Sequence, residues 1–152
     1  KYARELLDKF NCEVRVICGR NEKLRGRLEE ELTPRYGERV RVLGFIHNMD
    51  EEMQAADLIV MRGSPNSAME AAAMNRPLMI IDALPGQEAH NPRVLESHGL
   101  CVYQPDVERL AETVRALFDP MSGMLEKQRA AQRTYMNPDC AANITEMILE
   151  RI

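Results

Sequence analysis

Four short segments carry the side chains able to do chemistry, and each follows a stretch that reads as a β-strand. In Arg62-Gly-Ser-Pro-Asn-Ser67, Ser64, Asn66 and Ser67 are all good helix N-caps and Pro65 suits a first helical turn. A helix entry offers free N–H groups and a partial positive charge, which favours phosphate oxygens, and Arg62 adds a full charge with paired donors. A capped helix with an exposed arginine is the plainer account of the same residues. Glu70 follows one turn on. It completes a capping box if Ser67 is the cap; otherwise its carboxylate can accept hydrogen bonds from two neighbouring hydroxyls, as on a ribose.

Gly86-Gln-Glu-Ala-His-Asn91 is dense in polar side chains. Gln87, Glu88 and Asn91 can hold several sugar hydroxyls, or simply begin a helix. His90 is the one candidate base, although a lone histidine is more often a surface residue. In Cys18-Gly-Arg-Asn21, Gly19 permits an unusual backbone angle and Arg20 or Asn21 can face a ligand; a turn and cap explains them equally well. Gly44-Phe-Ile-His-Asn48 either presents Phe45 as a flat surface to a base ring or packs it into the core.

The elements that must position these segments alternate along the chain. Strands are expected at 14–18, 40–43, 58–61, 78–81 and 100–103, from short β-branched or apolar runs closed by Gly or turn residues. Helices are expected at 1–10, 22–32 (capped by Asn21, with Pro34 past its end), 49–56 (capped by Asn48 or Asp50), 67–74, 88–97, 107–118, 123–135 and 140–152. Strand and helix in alternation mean βαβ units, and right-handed crossovers give a doubly wound parallel sheet in a single α/β domain over 1–152. Ligands bind such sheets outside the carboxyl ends of the strands, where all four segments lie.

Composition narrows the function. The 152 residues carry 20 basic and 24 acidic side chains, a net charge of −4, which argues against a nucleic-acid partner held by a broad basic surface. Cys12, Cys18, Cys101 and Cys140 form no C-x-x-C pair; free thiols in a reducing compartment are expected, without disulfide or zinc. No signal peptide or membrane-spanning run is read. The chain opens directly in a helix, and a first strand is expected to lie before residue 1. There is no P-loop, G-x-G-x-x-G or G-x-S-x-G motif. Asp57 and Asp82 near strand ends have no paired partner, so no metal-bridged diphosphate is expected.

Taken in order, Val16-Ile-Cys-Gly-Arg-Asn21, Val42-Leu-Gly-Phe45 with Asn48-Met49, Ala56-Asp-Leu-Ile-Val60, Glu70-Ala71 and Pro85-Gly-Gln-Glu88 with Asn91 resemble the C-terminal domain of monogalactosyldiacylglycerol synthases and bacterial diacylglycerol glucosyltransferases, with the peptidoglycan N-acetylglucosaminyltransferase more distant. The resemblance implies a Rossmann-like domain, the C-terminal half of a two-domain GT-B fold, with extra C-terminal helices. An N-terminal acceptor domain carrying the catalytic base would lie outside this chain. The implied reaction moves a hexose from a UDP-sugar to a lipid acceptor such as diacylglycerol, with no cofactor and no metal, in the cytoplasm at the inner face of a membrane. Glu70 would bind the ribose, and residues Ser64, Pro65, Asn66 and Ser67 the diphosphate with Arg62. Phe45 and Ile46 would border the uracil, with the Ile46 backbone reading its edge; Gln87, Glu88 and Asn91 would hold the sugar, and Gly19, Arg20 and Asn21 would also belong to the donor site. The chain departs from the family pattern in having Ser64 and Asn66 where glycines usually stand, and His90 where Gly often precedes the Asn. A UDP-sugar epimerase on the same fold and a non-catalytic Rossmann-like interaction module are the alternatives.

Overall fold

The computed structural model describes residues 1–86, 88–137 and 139–151. The elements run α1 (Tyr2–Lys9), β1 (Val14–Ile17), α2 (Glu22–Tyr36), β2 (Val40–Leu43), α3 (Met49–Ala55), β3 (Ile59–Arg62), α4 (Pro65–Ala73), β4 (Leu78–Asp82), α5 (Asn91–Ser97), β5 (Val102–Tyr103), α6 (Leu110–Phe118), α7 (Met124–Tyr135) and α8 (Cys140–Leu149). Every strand pairing is parallel. The ladders form two groups, β1-β2 and β3-β4-β5, where the sequence predicts one continuous sheet.

Alternation along the strands explains the layering. In β4, Leu78 and Ile80 face one core with Met53 of α3 and Ala68 and Ala71 of α4, while Met79 faces another with Leu110 and Val114 of α6. Both cores exclude water from β4, as a parallel strand with helices on each side requires. Leu6 and Phe10 of α1 join the α6 side, and Leu7 of α1 packs with Leu32 of α2 and Val40 of β2. Helices α1, α2 and α6 therefore cover one face and α3, α4 and α5 the other, the doubly wound arrangement. Helix α1 bridges the two strand groups, and the Tyr2 hydroxyl donates to the carbonyl of Pro105 at 2.6 Å. Burial and the carboxylates of Asp82 and Asp106 push that phenol up, so it stays a donor.

Several boundaries differ from the sequence reading. Helix α2 continues through Pro34 to Tyr36; the missing proline N–H costs one bond, and Tyr36 packing against the α1–α2–β2 core carries the last turn. Gly37, at φ +57°, then ends it. Strand β5 is only Val102–Tyr103, and residues 88–90 form a turn, because Pro92 sets the start of α5 one residue earlier, at Asn91. The turn at 107–109 likewise precedes α6, and α8 ends at Leu149. The four cysteines are free thiols; burial pushes that of Cys101 up to about 12. No helix among the described residues is long and apolar enough to cross a membrane.

The amino edge of the three-stranded ladder is closed by side chains of α7. The Leu78 N–H donates to the Gln128 Oε1 at 3.1 Å, and Gln128 Nε2 donates back to the Leu78 carbonyl at 2.9 Å. Gln132 Nε2 donates to the carbonyls of Arg76 and Leu100. Both glutamines are buried. Replacing Gln128 with Ala strands a buried donor, which costs on the order of 1–3 kcal/mol. Urea melts of Gln128→Ala should show a loss of about that size, whereas Lys127→Ala, exposed on the same helix, should change stability little.

Candidate functional site

Within each ladder the strands are parallel, so the segments after β1 and β2 lie on one rim and those after β3 and β4 on another. The rim above β3 and β4 is the better defined. Arg62 is in register with Asp82 across an irregularity at Met61/Arg62, and the Gly63 N–H donates to the Asp82 carbonyl at 2.7 Å. The chain then turns sharply, with the Ser64 N–H on the Arg62 carbonyl at 2.8 Å, and α4 begins at Pro65.

Ser64, not Ser67, occupies the N-cap, and its side chain makes no capping bond. Ser67 is thus the third residue of the helix and Glu70 the sixth, so no capping box forms. The Pro65 ring removes one donor, and the Ala68 N–H already reaches the Ser64 carbonyl. That leaves the amides of Asn66 and Ser67 without a protein acceptor among the described residues. Glu70 and Arg62 are exposed and make no ion pair among the described residues. Two amides, the hydroxyls of Ser64 and Ser67, one guanidinium and one carboxylate are therefore without a partner at this helix entry among the described residues. No residue from 64 to 67 has a positive φ, so Ser64 and Asn66 carry no backbone strain in places where the family pattern has glycine.

Gly63 joins this entry to the next loop. It is buried, and a Cβ there would lie 2.8 Å from Pro92 Cγ and 3.2 Å from Pro92 Cδ. Residues 62–67 and the start of α5 thus touch through a space that only hydrogen fits. The sequence marks Gly63 merely as a turn residue; the signal for this contact is a buried glycine facing a proline of a later element, which spacing along the chain does not reveal. Glu88 and Asn91 are half-buried beside it, with the Asn91 N–H on the Glu88 carbonyl at 3.1 Å. Gly86 takes φ +95° in the turn before them. His90 is exposed and stands at the N-cap position of α5 without a capping bond. Gln87 lies outside the described residues.

The rim above β1 and β2 is built differently. Gly19, at φ +58°, turns the chain after β1. Asn21 Oδ1 accepts the Leu24 N–H at 3.0 Å, so this side chain caps α2 as expected. Arg20 lies over the Phe45 ring, 5.1 Å from guanidinium carbon to centroid. Phe45 is 53% exposed, which overturns the reading that packs it into the core. His47 meets it edge-on at 5.0 Å, and Ile46 is half-buried. Asn48 occupies the N-cap of α3, as expected, but its side chain makes no capping bond and its amide donates to Glu51. Among the described residues, no group of three His, Cys, Asp or Glu is placed to hold a metal ion.

Comparison with known proteins gives a consistent picture. The model of the glycosyltransferase family 28 C-terminal domain matches residues 2–144. A processive diacylglycerol beta-glucosyltransferase of Bacillus cytotoxicus is 31% identical over 140 residues, covering 92% of this chain and 36% of that protein. The chloroplastic monogalactosyldiacylglycerol synthase of Spinacia oleracea is 30% identical over 139 residues, covering 90% of this chain and 26% of that protein. A solved glycosyltransferase from Streptomyces sp. SF2575 superposes with a TM-score of 0.47 at 20% identity, over 84% of this chain and 38% of that one. The chain spans about a third or less of the length of these two enzymes of lipid glycosylation.

Gly63→Ala tests the join between the two loops. A methyl group at 2.8 Å from Pro92 forces them apart, at a cost of about 1–3 kcal/mol for overpacking. Thermal melts should show that loss, and Gly63→Ala combined with Pro92→Ala should recover part of it; a neutral Gly63→Ala contradicts the contact.

Proposed function

We propose that this chain, which belongs to the glycosyltransferase family 28 C-terminal domain, is the donor-binding half of an enzyme that transfers a hexose from a UDP-sugar to a lipid hydroxyl, such as that of diacylglycerol. The observation that carries this reading is the entry to α4: the unpaired amides of Asn66 and Ser67, with Ser64, Arg62 and Glu70 around them, on the carboxyl rim of a parallel sheet. The names of the Bacillus and spinach relatives supply the lipid acceptor.

Each group has a task in that reaction. The amides and Ser64 hydroxyl hold the diphosphate, and Arg62 adds charge as the sugar–phosphate bond breaks and the leaving UDP becomes more negative. These fixed donors replace a metal ion in neutralising the leaving group. Glu70 accepts from the two ribose hydroxyls, which keeps its own charge turned toward donors and away from phosphate. Glu88 and Asn91, with Gln87, hold the hexose, and Gly63 keeps them in step with the phosphate grip. Phe45 and Ile46 border the uracil. The base that deprotonates the acceptor belongs to an acceptor-binding half, which also meets the cytoplasmic face of the membrane.

The same reading covers the division of the strands. Strands β1 and β3 share no backbone hydrogen bond, yet α1 packs along both groups and Arg15 of β1 pairs with Glu52 of α3. One further parallel strand between them gives the order β2-β1-x-β3-β4-β5, that of a doubly wound nucleotide-binding sheet, with the ligand at the point where the winding reverses.

Calorimetric titration of UDP into the chain and into Glu70→Ala and Arg62→Ala tests the assignment. Losing two hydrogen bonds to a charged group weakens UDP binding by roughly tenfold or more in Glu70→Ala. Arg62→Ala should weaken UDP but not uridine. Equal UDP affinity in the chain and in Glu70→Ala removes the ribose role.

A further inference from the structure

The guanidinium of Arg20 lies over an aromatic ring at the rim above β1 and β2, and it makes no hydrogen bond or ion pair among the described residues. Its carrier is turned there by Gly19 at φ +58°, and the neighbouring Asn21 is committed to capping α2. The ring itself is braced: His47 stands against it at an interplanar angle of 84°. Beneath, Gly44 packs against Glu22 and Arg25 of α2, with Glu22 Oε1 3.1 Å from where a Cβ would sit. So one face of the aromatic ring is taken by the arginine while His47 stands against it. At 5.1 Å from centroid to guanidinium carbon, no planar ligand fits between ring and cation, because each stacked layer needs about 3.5 Å of its own.

We propose that Phe45 is a positioning residue that acts through Arg20, and that the pyrimidine of the nucleotide stacks on the outer face of the Arg20 guanidinium rather than on the phenyl ring. The inference rests on the nucleotide-sugar reading above and deepens it. A guanidinium is planar and weakly hydrated, so it stacks on an aromatic ring with one face and on a base with the other. Held by the ring, it loses little freedom when the base arrives. Its N–H groups stay in plane, directed outward past the edge of the stack, where a base carbonyl can accept one.

Binding of uridine and of pyrophosphate, each followed by NMR titration, separates the parts of the ligand. Arg20→Ala should weaken uridine about tenfold, and Phe45→Leu about two- to fivefold through the lost cation–ring attraction. Phe45→Tyr should keep wild-type affinity. The double variant Arg20→Ala/Phe45→Leu should be no weaker than Arg20→Ala alone, a coupling that a merely structural role of Phe45 does not produce. Pyrophosphate affinity should be unchanged throughout. Uridine binding that survives Arg20→Ala but not Phe45→Leu places the base on the ring and overturns the proposal. Loss of pyrophosphate binding in Arg20→Ala makes the arginine a phosphate ligand and overturns it as well. If the chain takes neither ligand, the nucleotide-sugar reading falls and this inference with it; if it takes both and neither variant weakens uridine, only this inference falls.

Discussion

The dry burial of β4 between two unlike cores organises the molecule. Leu78, Met79 and Ile80 are each 0% exposed, and a strand sealed on both faces can be served only by helices on both faces. Short crossovers of fixed hand then make the strands of its ladder parallel. Once the strands of a ladder are parallel, their carboxyl ends share a rim, and segments far apart in the chain become neighbours there. The chemistry at the rim follows from a packing requirement at the centre.

The two ends of the ladder are treated in opposite ways. At the amino edge, Gln128 and Gln132 satisfy backbone groups that the short β5 leaves over, so that end is finished. At the carboxyl edge, the donors of the α4 entry stay unspent, and the acid and the cation beside them are exposed. Backbone groups are paired by side chains at one end and left unspent at the other.

Much of this was legible in the residues. The apolar runs Leu58–Met61 and Leu78–Ile81 announced buried parallel strands, and Asn21 was recognisable as the cap of α2. Element boundaries were less so, because tertiary packing outweighs local preference: Tyr36 holds α2 past Pro34, and Pro92 fixes where α5 starts. Three good caps in a row at Ser64, Asn66 and Ser67 could not be ranked without the strand that precedes them; the turn on the Arg62 carbonyl decides for Ser64. The exposure of Phe45 was undecidable as well, since a lone aromatic after a strand fits a core or a rim. The split between β1-β2 and β3-β4-β5 was invisible, because strand order depends on which edges meet and not on the pattern within any strand.

The Gly63–Pro92 contact has a thermodynamic consequence. Two loops that share a fulcrum cannot relax separately, so each limits the freedom of the other. In the nucleotide-sugar function proposed above, a donor held at its phosphate would find the groups for its hexose already placed, and more of the contact energy would remain for discriminating one sugar from another. The same fulcrum transmits error. A side chain that tilts the first turn of α5 also turns the amides of Asn66 and Ser67 off their target, so a defect at one site is felt as weakened grip at the other.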